Sequence, residues 1–230
     1  MDKKTISLLA LILFLGIFLR FYNLGSESFW LDEGTTSITV IKYDAWEIFK
    51  NVKEHGQTLS EYYPQYDEDL PLYYMVLRGW VNLFGTSEFA FRSFSALFGV
   101  LSLLAVFYLA KYLFNNKIAL LATFLSAINL QLIWYSMEAR QYSDLLFLSL
   151  LSVIFLLKAI REDKIKYIAG LLVVNFFIIY SHFPWLMFIA FEGLYALYII
   201  YRDYKQKNIV HKKIFAAFVI IAILYLPIIE

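Results

Sequence analysis

Two adjacent acids, Asp32 and Glu33, stand in the stretch FWLDEGTTS, directly after an unbroken apolar run. A carboxylate can take a proton from a hydroxyl or accept several hydrogen bonds, and both uses suit a reaction at an oxygen nucleophile. Neighbouring side chains point in different directions in a helix or a strand, so one acid can face a cavity while a partner holds the other. The plainer alternatives are a solvated loop, or acids capping a helix that starts near Gly34. A second group is Glu138, Arg140 and Tyr142 in YSMEARQYS. Extended, these three alternate residues share a face; in a helix, Glu138 and Tyr142 align and Arg140 turns away. Arginine suits a phosphate by its permanent charge and planar fork. Its alternative here is an Arg reaching lipid head groups, with Glu138 as ion partner.

Three further groups are less specific. Asp67, Glu68 and Asp69 form an acidic run before Pro71, a pattern that ordinarily marks a solvated turn. Tyr180, Ser181 and His182 lie in YSHFPW, where a lone histidine is more often hydrogen-bonded structure than a ligand or base. If Asp69 and His182 were neighbours, they could begin a mixed carboxylate-histidine site for a divalent metal ion, the candidate cofactor. Glu192 sits within an apolar stretch and must face the interior of a bundle, be partnered or be protonated.

The elements that position these groups are membrane helices. Of 230 residues, 61% are hydrophobic and 20% aromatic, well above the share of a water-soluble domain. A net charge of +1 gives no global field for nucleic acid. The absence of cysteine removes disulfides, thiolate metal sites and Cys nucleophiles. Seven stretches offer the roughly 20 apolar residues that a crossing needs, or approach it: 5–22, 93–114, 118–134, 145–158, 167–180, 185–201 and 214–229. The first follows Lys3-Lys4 and reads as a retained helix rather than a cleaved signal. The stretches 145–158 and 167–180 are short and would need neighbouring residues or local thinning of the bilayer. With the N-terminus cytoplasmic, thirteen of the twenty Lys and Arg residues fall at the inner face, which fixes that orientation. Fourteen of the nineteen acids are then outside, so the chemistry is expected there.

Residues 23–92 form a first outer loop too long for a simple connection. Pro71 is placed to open a surface-lying helix and Gly85 to close it, and Thr86 or Ser87 can cap the next span. Leu72, Met75, Val76, Gly79 and Leu83 make one stripe of that helix, with Tyr73, Tyr74, Trp80 and Phe84 as interface-belt residues. The expected fold is an all-α polytopic membrane protein with about seven transmembrane helices and a long first outer loop carrying interfacial helices.

Four motifs in this order resemble the GT-C glycosyltransferases, in the branch of dolichyl-phosphate-mannose-protein mannosyltransferases and aminoarabinose-lipid A transferases. They are Trp30-Leu31-Asp32-Glu33, Leu70-Pro71-Leu72-Tyr73-Tyr74, Ser87-Glu88 with Arg92, and Glu138-Ala139-Arg140-Gln141-Tyr142. Asp69-Leu70 stand where such proteins commonly carry His-Pro, and relatives continue beyond a seven-span module, so residues 1–230 read as one membrane-embedded catalytic module in fragment or minimal form. The resemblance implies transfer of a sugar from a polyprenyl-phosphate-linked donor to a hydroxyl of a protein or lipid acceptor, at the outer face, with inversion. It assigns Asp32 as general base, Glu33 as its support and Glu138 to the acidic site. It places Arg140, Tyr142, Tyr73, Tyr74 and Arg92 on substrate. Rival readings are a lipid or solute transporter, which would show broken Gly/Pro helices and repeated halves, and a non-catalytic membrane scaffold, which would not need the acids.

Overall fold

A computed structural model describes residues 2–55, 71–205 and 212–229. Every regular element among them is a helix: α1 (Lys3–Phe21), α2 (Leu31–Lys42), α3 (Ala45–His55), α4 (Pro71–Phe84), α5 (Glu88–Leu113), α6 (Asn116–Ala127), α7 (Leu130–Ser136), α8 (Tyr142–Glu162), α9 (Ile165–Ile179), a 3₁₀ turn (Phe183–Trp185), α10 (Leu186–Lys205) and α11 (Lys212–Ile229). The chain divides into two compact units, Met1–Phe147 and Leu148–Glu230, with the boundary inside α8.

In the first unit, local chemistry sets the helix ends. Asp2 caps α1 by accepting from the Thr5 N–H at 2.9 Å, and Ser87 caps α5 by accepting from the Ala90 N–H at 3.2 Å. That cap starts α5 five residues before the apolar stretch at 93. Pro71 opens α4 and Gly85 closes it, at φ +93°, a left-handed conformation that glycine adopts without penalty. The apolar stripe of α4 is its outward side, with Leu83 and Val76 exposed. Tyr73 and Tyr74, expected in an interface belt, are instead buried with Leu77 and Val81 against Phe91 and Phe94 of α5.

The stretch 118–134 is not one continuous helix. It breaks after Ala127 into α6 and α7, bent by 62°. Asn129 makes the second start, its side-chain oxygen accepting from the Leu132 N–H at 3.0 Å. Small residues let α1, α5 and α6 approach closely: Ala119, Thr123 and Ala127 are fully buried, and a Cβ at Gly16 would lie 2.4 Å from Leu103 Cδ1.

The second unit packs Leu156, Ala159, Leu171, Ala196, Ile214 and Ala217 into one apolar cluster. Glu192 of α10 faces inward and is partnered by neutral groups. Ser152 Oγ donates to its Oε2 at 2.7 Å, and Asn175 Nδ2 donates to Ser152 Oγ at 2.8 Å.

Among the described residues, α1, α5 and α8 are each long and apolar enough to cross a bilayer, and the bent α6–α7 pair makes a fourth candidate. Helix α8 reaches this length because Tyr142, Ser143 and Asp144 before the stretch 145–158, and Ala159 to Glu162 after it, are also helical. Helix α9, at 15 residues, is shorter. The protein is an integral membrane protein; of the seven expected spans, three to four meet the length and composition test.

Candidate active site

The approach to α2 turns Glu33 inward. Trp30 precedes the first helical residue, so both acids occupy the first turn, where the helix dipole favours negative charge. Glu33 is fully buried. Its Oε1 accepts from Arg92 Nε at 2.8 Å and from the Ala139 N–H at 2.8 Å, and its Oε2 accepts from Arg92 Nη2 at 2.6 Å. The Trp30 N–H adds a longer bond to Oε2 at 3.4 Å. The remaining donors of Arg92 reach the carbonyls of Leu24 at 3.2 Å, Glu27 at 2.8 Å and Ser28 at 3.2 Å. All five guanidinium hydrogens are therefore taken by the protein. The Phe29 ring centroid lies 5.5 Å from the Arg92 Cζ. One buried ion pair thus ties the loop after α1, together with α2 and α5, to the bend after α7.

Asp32 projects differently from its neighbour. It is half-buried, and its carboxylate takes no hydrogen bond among the described residues. Its backbone carbonyl accepts from Thr35 Oγ1 at 2.8 Å and Thr36 Oγ1 at 3.0 Å, which stiffens the first turn beneath it.

Glu138 and Arg140 come from a bend between α7 and α8, and Tyr142 is the first residue of α8. Trp134 Nε1 donates to Glu138 Oε1 from one turn earlier. Burial raises the Glu138 pKa above the ordinary carboxylate range; the Trp134 hydrogen bond and Arg140 oppose that shift, and the negative charges of Glu33 and Asp32 add to it. Glu138 is thus within electrostatic range of Asp32, Glu33 and Arg140. Arg140 is buried, lies 3.5 Å through Nη1 from Thr36 Oγ1 on α2, and has its Cζ 6.0 Å from the centroid of the Tyr142 ring. Its backbone carbonyl accepts from Ser95 Oγ of α5 at 3.0 Å. Tyr142 in turn packs against Tyr135, ring centroids 4.6 Å apart.

A cleft of about 390 Å³ opens beside this cluster. Glu27, Glu33, Glu138 and Arg92 line it together with the aromatic Tyr22, Trp30 and Trp134. Asp32 and Arg140 do not line it. Tyr73 and Tyr74 lie in the packed core and do not join the cleft. Asp69 is outside the described residues. His182 belongs to the second unit, with its ring centroid 5.9 Å from that of Trp185. Among the described residues, no three His, Asp or Glu side chains are grouped to hold a metal ion. Sequence reasoning missed Trp134, although its position four residues before Glu138 was a readable signal. It also missed Arg20, whose apolar surroundings hid it.

Helices long enough for a bilayer, with buried carboxylates, arginines and aromatic rings converging at one cleft, define a polytopic membrane protein with a polar site set among its helices. Residues 68–229 match the dolichyl-phosphate-mannose-protein mannosyltransferase family, and the chain belongs to that family. Its members are membrane glycosyltransferases of the mannosyltransferase type, with the GT-C-like helical build. The matched residues include Arg92, Glu138, Arg140 and Tyr142; Asp32 and Glu33 precede them, and Glu33 joins them through Arg92 and Ala139. No curated protein and no solved structure matches the chain.

Proposed function

We propose that the chain transfers a sugar from a polyprenyl-phosphate-linked donor to a hydroxyl of a protein or lipid acceptor, with inversion, at the outer face of the membrane. In this reading the N-terminus is cytoplasmic, α9, α10 and α11 complete seven spans, and α4 lies at the interface. The observation that supports the proposal is that Glu33 and Glu138 line one aromatic-walled cleft, with Asp32 and Arg140 in electrostatic range of Glu138.

Asp32 is the general base. Its side chain is the accessible member of the acidic pair, while Glu33 is committed to Arg92. Asp32 removes the acceptor proton as the acceptor oxygen attacks the anomeric carbon. The bond from that carbon to the phosphate oxygen breaks, and its electron pair leaves with the polyprenyl phosphate. Base catalysis of this kind contributes about 10²–10⁴-fold. Arg140 stabilises the charge on the departing phosphate, with Tyr142 beside it. Glu138 shapes the acidic wall facing the sugar. Glu33 and Arg92 act as positioning residues, because they hold Asp32 and the bend in register.

The test is turnover and donor binding with a polyprenyl-phosphate sugar in detergent, comparing the parent with Arg140→Lys and Arg140→Ala. A point charge cannot reproduce two parallel hydrogen bonds, so Lys should weaken donor use and Ala should weaken it further. Equal donor affinity in all three removes Arg140 from the phosphate.

A further inference from the structure

Arg20 lies near the end of α1, fully buried, with no carboxylate hydrogen-bonded to it among the described residues. An arginine inside an apolar helix bundle is costly unless its donors and its charge are answered. Here much of the answer comes from the break in the third membrane stretch, while Nε has no hydrogen-bond partner among the described residues. Arg20 Nη1 donates to the Ala127 carbonyl at 3.2 Å and Nη2 to the Ser126 carbonyl at 3.3 Å, and Nη1 also reaches Gly16 O at 3.2 Å. Ser126 and Ala127 are in the last turn of α6, whose final carbonyls have no intrahelical donor and carry the negative end of the helix dipole. Asn129 satisfies the opposite side by capping α7. The 62° bend therefore has a cation seated on one lip and a side-chain cap on the other.

The bend has a direct consequence at the cleft. Helix α7 is only seven residues long and carries Trp134, which lines the cleft and donates to Glu138. Its far end is pinned by close approach: a Cβ at Gly99 of α5 would stand 2.1 Å from Ser136 Oγ, 2.8 Å from Ser136 Cβ and 3.1 Å from Arg20 Nε. Gly99 thus leaves room for Ser136 and Arg20 to sit together. We infer that Arg20 is a positioning residue that fixes the α6–α7 break, and through it sets Trp134 and the Glu138 carboxylate at the cleft. This inference takes its relevance to catalysis from the transferase reading above.

Its test is spectroscopic first and kinetic second. The chain has five tryptophans, so 5-fluorotryptophan labelling gives a small set of ¹⁹F resonances, and Trp134→Phe identifies the one from Trp134. In Arg20→Met the Trp134 resonance should shift or broaden while that of Trp185, in the other unit, stays in place. Arg20→Lys keeps a cation at the α6 carbonyls and should stay nearer the parent spectrum. Gly99→Ala retains Arg20 but displaces Ser136, and should move the same resonance. Where transfer is measurable, Arg20→Met should lower kcat roughly tenfold or more per folded molecule, with partial rescue by Lys. An unchanged Trp134 resonance in folded Arg20→Met and Gly99→Ala overturns the inference. A parent protein that transfers no sugar, combined with a shifted Trp134 resonance, would instead remove the functional reading and leave the positioning role standing.

Discussion

Arg92 and Arg20 are both buried in the first unit and both face backbone carbonyls, yet the two regions answer their charge differently. Arg92 meets a full negative charge on Glu33 and three loop carbonyls. Arg20 meets only carbonyls, two of them at the end of α6. The first arrangement locks three separated segments by an ion pair whose members cannot be separated cheaply. The second holds a bend by partial charges that other donors could in part replace. Both regions reach the cleft: Glu33 and Arg92 line it directly, and Arg20's region reaches it through Trp134 on α7, which lines it with Glu138.

The comparison is broken most forcefully at Arg92. Arg92→Met leaves Glu33 as an unpaired buried carboxylate and should cost about 3–5 kcal/mol of stability. Adding Glu33→Gln to that variant should restore much of the loss, because the uncompensated charge is then gone. Unfolding midpoints in detergent measure both, and additive single effects would contradict the coupling. Arg20→Met should cost less, about 1–3 kcal/mol, since it strands polar carbonyls rather than a charge. A larger loss at Arg20 than at Arg92 would reverse the ranking.

A smaller effect separates the two sides of the cleft by pH. Burial raises the Glu138 pKa, so the folded protein holds that proton more tightly than the unfolded chain. The associated stability is present below the ordinary carboxylate range and is lost as pH rises through the raised value. Glu138→Gln should therefore match the parent at low pH and gain relative stability above that window. A parallel pH profile for the two proteins would contradict the raised pKa.

Much of the fold was legible because its punctuation is chemical. Pro71 and Gly85 bracket α4, and Ser87 caps α5, in agreement with their local roles. The helical, membrane-embedded class and the family followed from apolar length and motif order. The break at Ile128 was hidden because Asn129 sits in an otherwise apolar run that reads as one span. The burial of Tyr73 and Tyr74 on α4 was hidden because tyrosine suits both an interface belt and an aromatic core, and only packing against Phe91 and Phe94 decides between them. At the site, three of the motifs meet through Glu33, Arg92 and Ala139, but spacing could not tell which acid of the pair is held. That depends on Arg92, 59 residues away, and on the Ala139 N–H, 106 residues away.

The assignment of chemistry to the accessible acid is tested most directly by Asp32→Asn in the purified protein. The substitution keeps size and hydrogen-bonding capacity and removes the basic oxygen. The account predicts transfer reduced by at least about a hundredfold, with donor binding and the unfolding midpoint unchanged. Near-parental turnover by Asp32→Asn would contradict it.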